Sequence, residues 1–532
     1  MAQTPASTSR VPLWLIVLVF SVAFLLLHLS NLTRLPVFAD EAIYIRWSQL
    51  IIDDWQRYAF FPLNDGKTPL HMWLMVPFQF LFDDQLFAGR FLSVLVGLLQ
   101  ALLLGMTARL LRNTRRTQVL TMLGVLLLPY WYFHHRMALI DGLLTLLLTA
   151  LLFSLLKLVT DKQYFTARIS LRQILWTIAA GTAFGLGLWT KLPALLFTPV
   201  FGIVLLLPRL SLRSRALGAS KIAVAYGVGL GLFILMKLHP AFGQLFARGG
   251  DFLYSMSDLQ TLNLAEHIAK NSWLFLSFFA RYLTIPVLLA GIAGMYMRKT
   301  RRTVAILLLC AASFILPILI MGKVVYPRYL LPSAVFFTLA AAITTDALFF
   351  KIQSKKLSYK QLFATLAIVV SAMNTVRFSA EFIYASQVAP NAIPFAPIDS
   401  IQYLEEWSSG NGILASTTFV QNRARHTSVL VATEGYFGTL PDGMLLYLHR
   451  RPVENLFVEG IGQPIYQLPT WFLEKSSAYE EMYLIANSHR MFLPLSNDLL
   501  VSQYCRLPKA PCLQVWDISE YVRNERQRLG SN

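Results

Sequence analysis

The sequence predicts a polytopic α-helical membrane protein, with about eleven transmembrane helices and a small extracytoplasmic α/β C-terminal domain. Three observations predict it. Hydrophobic residues make up 56% of the 532 residues and charged residues only 14%, against roughly 25% charged in soluble globular chains. Mean hydropathy is +0.54, and apolar runs recur from the N-terminus to about Phe350 before the composition turns polar. The basic residues, finally, collect in every second loop. A soluble enzyme, a disordered chain and a disulfide-rich secreted scaffold are excluded.

A crossing helix needs about 20 apolar residues. Such runs lie near 12–30, 86–108, 117–134, 138–156, 174–190, 192–208, 220–237, 273–297, 303–322, 329–350 and 361–378. The first is too long for the apolar part of a signal peptide. Asn31-Leu-Thr-Arg34 after it is no small-residue cleavage site, so it reads as a retained anchor.

Arg109, Arg112, Arg115 and Arg116 follow the second span, and Lys157, Lys162, Arg168 and Arg172 the fourth. Arg209, Arg213, Arg215 and Lys221 follow the sixth, and Arg298, Lys299, Arg301 and Arg302 the eighth. Lys351, Lys355, Lys356 and Lys360 follow the tenth, and Asp161 is the only acid among these loops. The positive-inside rule makes them cytoplasmic. The net charge of +18 is then mostly topology, and no nucleic-acid partner is expected. The apolar segment Thr68 to Phe82 carries Pro69 and Pro77. Counting it as a crossing would invert every later loop, so it is expected to lie on or dip into the outer face.

Domain boundaries follow: 1–378 in the membrane and 379–532 outside, with Pro390, Pro394 and Pro397 near the junction. Strand-like runs (Ser428–Ala432, Met482–Ala486, Leu513–Asp517) alternate there with helix-like ones (Ile398–Ser408, Gly443–His449). Three cysteines, Cys310, Cys505 and Cys512, supply neither a disulfide framework nor a zinc cluster. Cys505 and Cys512 are spaced to bridge a hairpin in an oxidising compartment, but spacing alone leaves their pairing open.

The polar residues that topology does not explain lie on the outer face. The loop from Asn31 to Gln85 holds Asp40, Glu41, Asp53, Asp54, Asp65, Asp83 and Asp84, and acids beside hydrophobic spans point to a site. Asp40-Glu41 opens an amphipathic helix, Glu41 to Trp55. Such a pair serves as a helix cap, and a capped carboxylate is also held rigid for chemistry. Lys67, in Asp65-Gly-Lys-Thr-Pro-Leu-His71, is either an interfacial snorkelling lysine or an anion-binding cation.

His134-His135-Arg136 precede Asp141, which sits inside an apolar helix. An unpaired carboxylate there costs about 2.5–3.5 kcal/mol on the insertion scale, and Arg136 is the nearest cation in sequence. Adjacent histidines diverge on a helix, so a metal is not indicated. Lys191 (Trp189-Thr-Lys-Leu-Pro193) and Arg328 (Tyr326-Pro-Arg-Tyr-Leu-Leu-Pro332) lie at outer turns, where the same rule disfavours positive charge. Lys67, Arg136, Lys191 and Arg328 together suggest one bound anion, with Arg281 as a deeper fifth cation.

A carboxylate among cations at headgroup level suits a phosphate whose apolar tail stays in the bilayer. No Walker loop, dinucleotide fingerprint or nucleophile elbow occurs. Glycosyl transfer from a polyprenyl phosphate fits. The leaving phosphate needs cations rather than a proton, and one general base suffices for the acceptor. A single displacement inverts the anomeric centre, and no cofactor is required. The rival reading is a transporter of a lipid-linked or anionic substrate. Transporters place their sites near the midplane between repeated halves, whereas these charges share one face and no clear repeat is present.

At these residues the sequence resembles the GT-C membrane glycosyltransferases, the group of protein O-mannosyltransferases and the aminoarabinose transferase of lipid A. FADEAIYIRWSQ, GKTPLHMWL, RMALIDGLLTLL, GLGLWTKLPALL and PRYLLP occur in family order over roughly residues 10–345. The resemblance implies Asp40 as catalytic base with Glu41 supporting it. It implies Lys67, Arg136, Lys191 and Arg328 as a lipid-phosphate cradle and Asp141 on the acceptor or sugar side. His71 and Tyr329, within the same motifs, join the substrate-binding set. The implied partners are a polyprenyl-phosphate-linked sugar, a protein, lipid or glycan acceptor, and the lipids of the plasma membrane. Two motifs depart from the family: Gly66 precedes Lys67 where the aminoarabinose enzyme has glutamate, and Lys191-Leu-Pro193 replaces Lys-Gly-Pro.

Overall fold

The computed structural model describes residues 12–166, 168–353 and 359–530. Every expected span falls on helical structure. Six helices among the described residues are long and apolar enough to cross a membrane: Gln85–Arg112, Ile140–Val159, Leu212–Leu238, Leu264–Tyr296, Arg301–Met321 and Pro327–Phe349.

Prolines break several others. The expected span 117–134 ends at Leu127 and restarts as Pro129–His134, because the residue before a proline is driven out of the helical region. Leu128 is accordingly extended (ψ 134°). The span expected at 192–208 consists of the pieces Leu192–Phe197, Thr198–Ile203 and Val204–Leu206, the first two opened by Pro193 and Pro199. Arg281 lies on a π-helical turn, Ala280–Thr284. The helix Leu70–Leu81 has 12 residues, about 18 Å at 1.5 Å per residue, too short for a hydrocarbon core of about 30 Å. The Asp40 helix runs Ala39–Asp53, and Trp55 opens a separate turn, Trp55–Tyr58, rather than ending the same helix.

Close packing uses glycine. A Cβ on Gly181 would stand 2.6 Å from the Ala225 carbonyl oxygen, and one on Gly229 2.8 Å from that of Gly181. The helices Leu171–Thr190 and Leu212–Ile234 therefore meet backbone to backbone, as small residues permit in lipid.

The basic loops meet one another. Lys221 donates to the carbonyls of Tyr164, Thr166 and Arg168; Arg302 donates to those of Leu206 and Pro208. Arg112 and Arg116 pair with Asp346 at 3.2 and 3.7 Å. Loops between different spans thus share one face. Lys355 and Lys356 lie outside the described residues, as do the side chains of Lys162, Lys351 and Lys360.

The helix Tyr359–Val388 continues past residue 378, because Phe382, Ile383 and Ala385 go on supplying a buried apolar face. Beyond it lies a five-stranded sheet of order β2-β1-β3-β5-β4. The strands are β1 Val429–Thr433, β2 Leu456–Gly460, β3 Glu481–Asn487, β4 Leu500–Cys505 and β5 Cys512–Asp517. β1 runs parallel to β2 and β3, while β5 is antiparallel to β3 and β4. Cys505 and Cys512 are register partners joined by a disulfide. The helix expected at Ile398–Ser408 is instead Pro397–Ser400, a π-turn Ile401–Glu405 and a short turn Trp407–Ser409.

This sheet-bearing part is seated on the Asp40 helix. Gln49 donates to the Leu446 carbonyl at 2.9 Å, and His449 meets Asp53 at 2.8 Å. Gly410 (φ 64°) faces Val37, whose carbonyl oxygen would stand 1.8 Å from an added Cβ. Only glycine fits there.

Candidate active site

Asp40 and Glu41 are neighbours in sequence with opposite surroundings. Glu41 is fully buried. It accepts the backbone N–H of Phe38 at 3.0 Å and of Ala138 at 2.6 Å, and Arg90 grips both its oxygens at 2.8 and 2.7 Å. The helix cap is therefore made by Glu41 reaching back to Phe38, not by Asp40. With its oxygens occupied, Glu41 ties together the backbone at Phe38 and Ala138 and the Arg90 side chain. Arg90 was not among the sequence candidates. Its signal was a lone charge inside the apolar run FAGRFLSVLVGLL, which lipid tolerates only when paired.

Asp40 keeps 28% of its side-chain surface and receives Arg328 Nη2 at 2.9 Å. Arg328 is buried; its Nη1 donates to Gln402 Oε1 at 3.0 Å and to the Tyr403 hydroxyl at 3.4 Å. Tyr329 connects this pair to a second one. The Lys191 ammonium stands 4.4 Å from the Tyr329 ring centroid, and the Arg328 guanidinium carbon 5.5 Å from it. Lys191 in turn donates to Asp141 at 2.7 Å. Two carboxylates and two cations thus surround one tyrosine ring.

This geometry revises the expected pairing. Asp141 is paired with Lys191, from the next hairpin of spans, and not with Arg136. The Arg136 side chain points to the end of the first helix, donating to the carbonyls of Leu27, His28, Ser30 and Asn31. Terminal carbonyls lack intrahelical donors, and Arg136 supplies them. Lys67 pairs with Asp65 at 2.9 Å, and Arg248 bonds the same carboxylate. The structure thus gathers Lys191 and Arg328 around Asp40 and Asp141, while Arg136 and Lys67 are engaged elsewhere.

His71 is buried at the start of its helix, edge-on to Tyr44 at 6.3 Å. Tyr44 follows Asp40 by one helical turn. Among the described residues, no group of three or more His, Cys, Asp or Glu side chains is arranged to hold a metal ion. Next to Arg328, Asp399 accepts the Tyr282 hydroxyl at 2.5 Å. Burial pushes the Asp399 carboxyl up to about 7, opposed by the Tyr282 hydrogen bond and the Arg328 charge.

Residues 65–236 match the family described as Dolichyl-phosphate-mannose-protein mannosyltransferase, a stretch that contains Lys67, His71, Arg136, Asp141 and Lys191. The fold is similar to that of ArnT from Cupriavidus metallidurans bound to undecaprenyl phosphate. That match has 14% identity and a TM-score of 0.56, and covers 95% of this chain and 98% of that one. The apo state of ArnT matches over the same shares with 15% identity and a TM-score of 0.58. The archaeal oligosaccharyltransferase AglB from Archaeoglobus fulgidus, in complex with an inhibitory peptide and a dolichol-phosphate, has 13% identity and a TM-score of 0.53. It is covered over 69% of its length, using 89% of this chain. No curated protein matches by sequence. Fold and family match agree on one class, a multi-pass membrane glycosyltransferase of the GT-C type.

Proposed function

We propose that this glycosyltransferase moves one monosaccharide from a polyprenyl phosphate to an extracytoplasmic acceptor, with inversion. The observation that carries the proposal is the pairing of partly exposed Asp40 with Arg328 beside the Lys191–Asp141 pair. Asp40 takes the proton from the acceptor hydroxyl or amine as that atom attacks the anomeric carbon. The bond from that carbon to the phosphate oxygen breaks, and polyprenyl phosphate leaves with the electron pair. Arg328 and Lys191 are placed to meet the charge growing on that oxygen, a preorganised electrostatic contribution. Asp141, on the acceptor or sugar side, joins His71 and Tyr329 in binding substrate. Lipid phosphates in the ArnT and AglB structures support this donor class.

The catalytic membrane domain extends through the helix Tyr359–Val388, and the part that follows is an extracytoplasmic domain of the plasma membrane protein. The basic loops that share one face support this orientation, with the N-terminus cytoplasmic. Mass spectrometry of lipids and surface glycans, with and without an active copy, tests the function. Loss of one sugar from the surface with accumulation of its lipid-linked form is expected; unchanged glycans and lipids would contradict it.

A further inference from the structure

Arg328 holds Asp40 with one nitrogen only. The other, Nη1, is held by Gln402 Oε1 at 3.0 Å and by the Tyr403 hydroxyl at 3.4 Å. Both residues belong to the π-turn Ile401–Glu405, which leads into the sheet-bearing part. That turn is itself anchored. Asp399 accepts from Tyr282, whose hydroxyl also accepts the Ala396 N–H at 3.1 Å. The Tyr403 ring packs on Phe38 at 4.6 Å and Phe133 at 5.0 Å, and Phe38 immediately precedes the Asp40 helix. The same turn therefore touches both the chain that carries Asp40 and the arginine that binds it.

We infer that Gln402 and Tyr403 are positioning residues: they clamp one edge of Arg328 so that the other edge stays on Asp40. This rests on the reading of Asp40 as the base. Gln402 suits the task because a neutral amide oxygen accepts from the guanidinium without competing for its charge. The C-terminal part is then a wall of the active centre, and the orientation of the base depends on how that part is seated.

The test uses the full-length chain in lipid nanodiscs and in cells making equal amounts of each variant. Gln402→Leu removes the acceptor at nearly constant volume, and Tyr403→Phe keeps the ring while removing the hydroxyl. Gln402→Leu is expected to lower sugar transfer about 10–100-fold, the scale of a small misplacement of a reacting group. The affinity for undecaprenyl phosphate should fall by less than transfer does, because Lys191 is untouched and Arg328 keeps its charge. Tyr403→Phe, which loses the longer bond, should have the smaller effect.

Thermal unfolding supplies a readout independent of turnover. If Gln402 acts through Arg328, the stability losses of Gln402→Leu and Arg328→Lys combine to less than their sum. Full additivity, or transfer by Gln402→Leu within twofold of the parent, would overturn the inference. Asp40→Asn that still transfers sugar would instead overturn the functional reading, leaving the stability cycle to decide whether the clamp exists.

Discussion

Arg90 makes five hydrogen bonds, two to the carboxylate of Glu41 and three to the carbonyls of Leu32, Leu35 and Pro36. Both side chains are almost wholly buried, at 1% and 0% exposure. One guanidinium thus ties the extended chain after the first span to the first turn of the Asp40 helix. The turn that carries Asp40 is thereby fixed through its neighbour Glu41.

Removing one partner of such a buried pair leaves the other charge uncompensated, at a cost of about 3–5 kcal/mol. Arg90→Ala and Glu41→Ala are therefore expected to lower the yield of folded protein and its Tm sharply. Asp40→Asn, on a partly exposed side chain that keeps an acceptor oxygen for Arg328, should lower Tm less than either. Detergent-phase thermal unfolding of the three variants checks this. Equal Tm losses at residues 40 and 41 would contradict it.

Arg136 and Lys191 should separate in the same way. Arg136→Ala takes one donor from each of four carbonyls, of which those of Leu27 and Asn31 keep Gln387 and the Arg34 N–H, and is expected to cost stability while folded molecules keep their turnover. Lys191→Ala takes a cation from beside Asp141 and should lower transfer about 10–100-fold, since one preorganised charge-stabilising group contributes on the order of 10²-fold. Lys67→Ala, outside the paired cluster, should have the mildest effect of the three. The measurement is transfer per folded molecule.

The buried carboxyls predict a pH dependence of stability. Burial pushes Asp399 up to about 7, and Asp442 up to about 6 against the Gly438 N–H that it accepts. Both exceed the unfolded value of about 3.9, so over that interval the native state holds protons that the unfolded chain has released. Their contribution is full below about pH 4 and is lost as pH rises to about 7, by up to about 1.4 kcal/mol per unit and group. Asp399→Asn keeps an acceptor for Tyr282 and should flatten the fall in Tm between pH 5 and pH 7.5. A variant whose slope equals the parent's would contradict this.

The membrane architecture was legible because hydropathy and loop charge are strong, redundant signals. Gln85–Arg112 and Ile140–Val159 needed only their apolar length. The breaks at Pro129 and Pro193 were visible as residues but hidden by the continuous apolar runs around them. In the C-terminal part, the fully buried β1 announced itself, whereas β2 and β4 sit at the sheet edges with half-exposed or alternating faces. Within the site, Asp40, Asp141, Lys191 and Arg328 were legible as charges that topology disfavours. Their pairing was not, since Lys191 reaches Asp141 across 50 positions of sequence and Arg328 reaches Asp40 across 288. Gln402 and Tyr403 carried no signal at all, being ordinary residues of a segment that reads as a plain helix.

If Asp40 is the base, Asp40→Asn removes the proton acceptor and little else. Sugar transfer and undecaprenyl phosphate affinity are measured on the same full-length preparation. Transfer is expected to fall about 10²–10⁴-fold, the usual share of a general base, with affinity unchanged. Transfer within tenfold of the parent at equal affinity would contradict it.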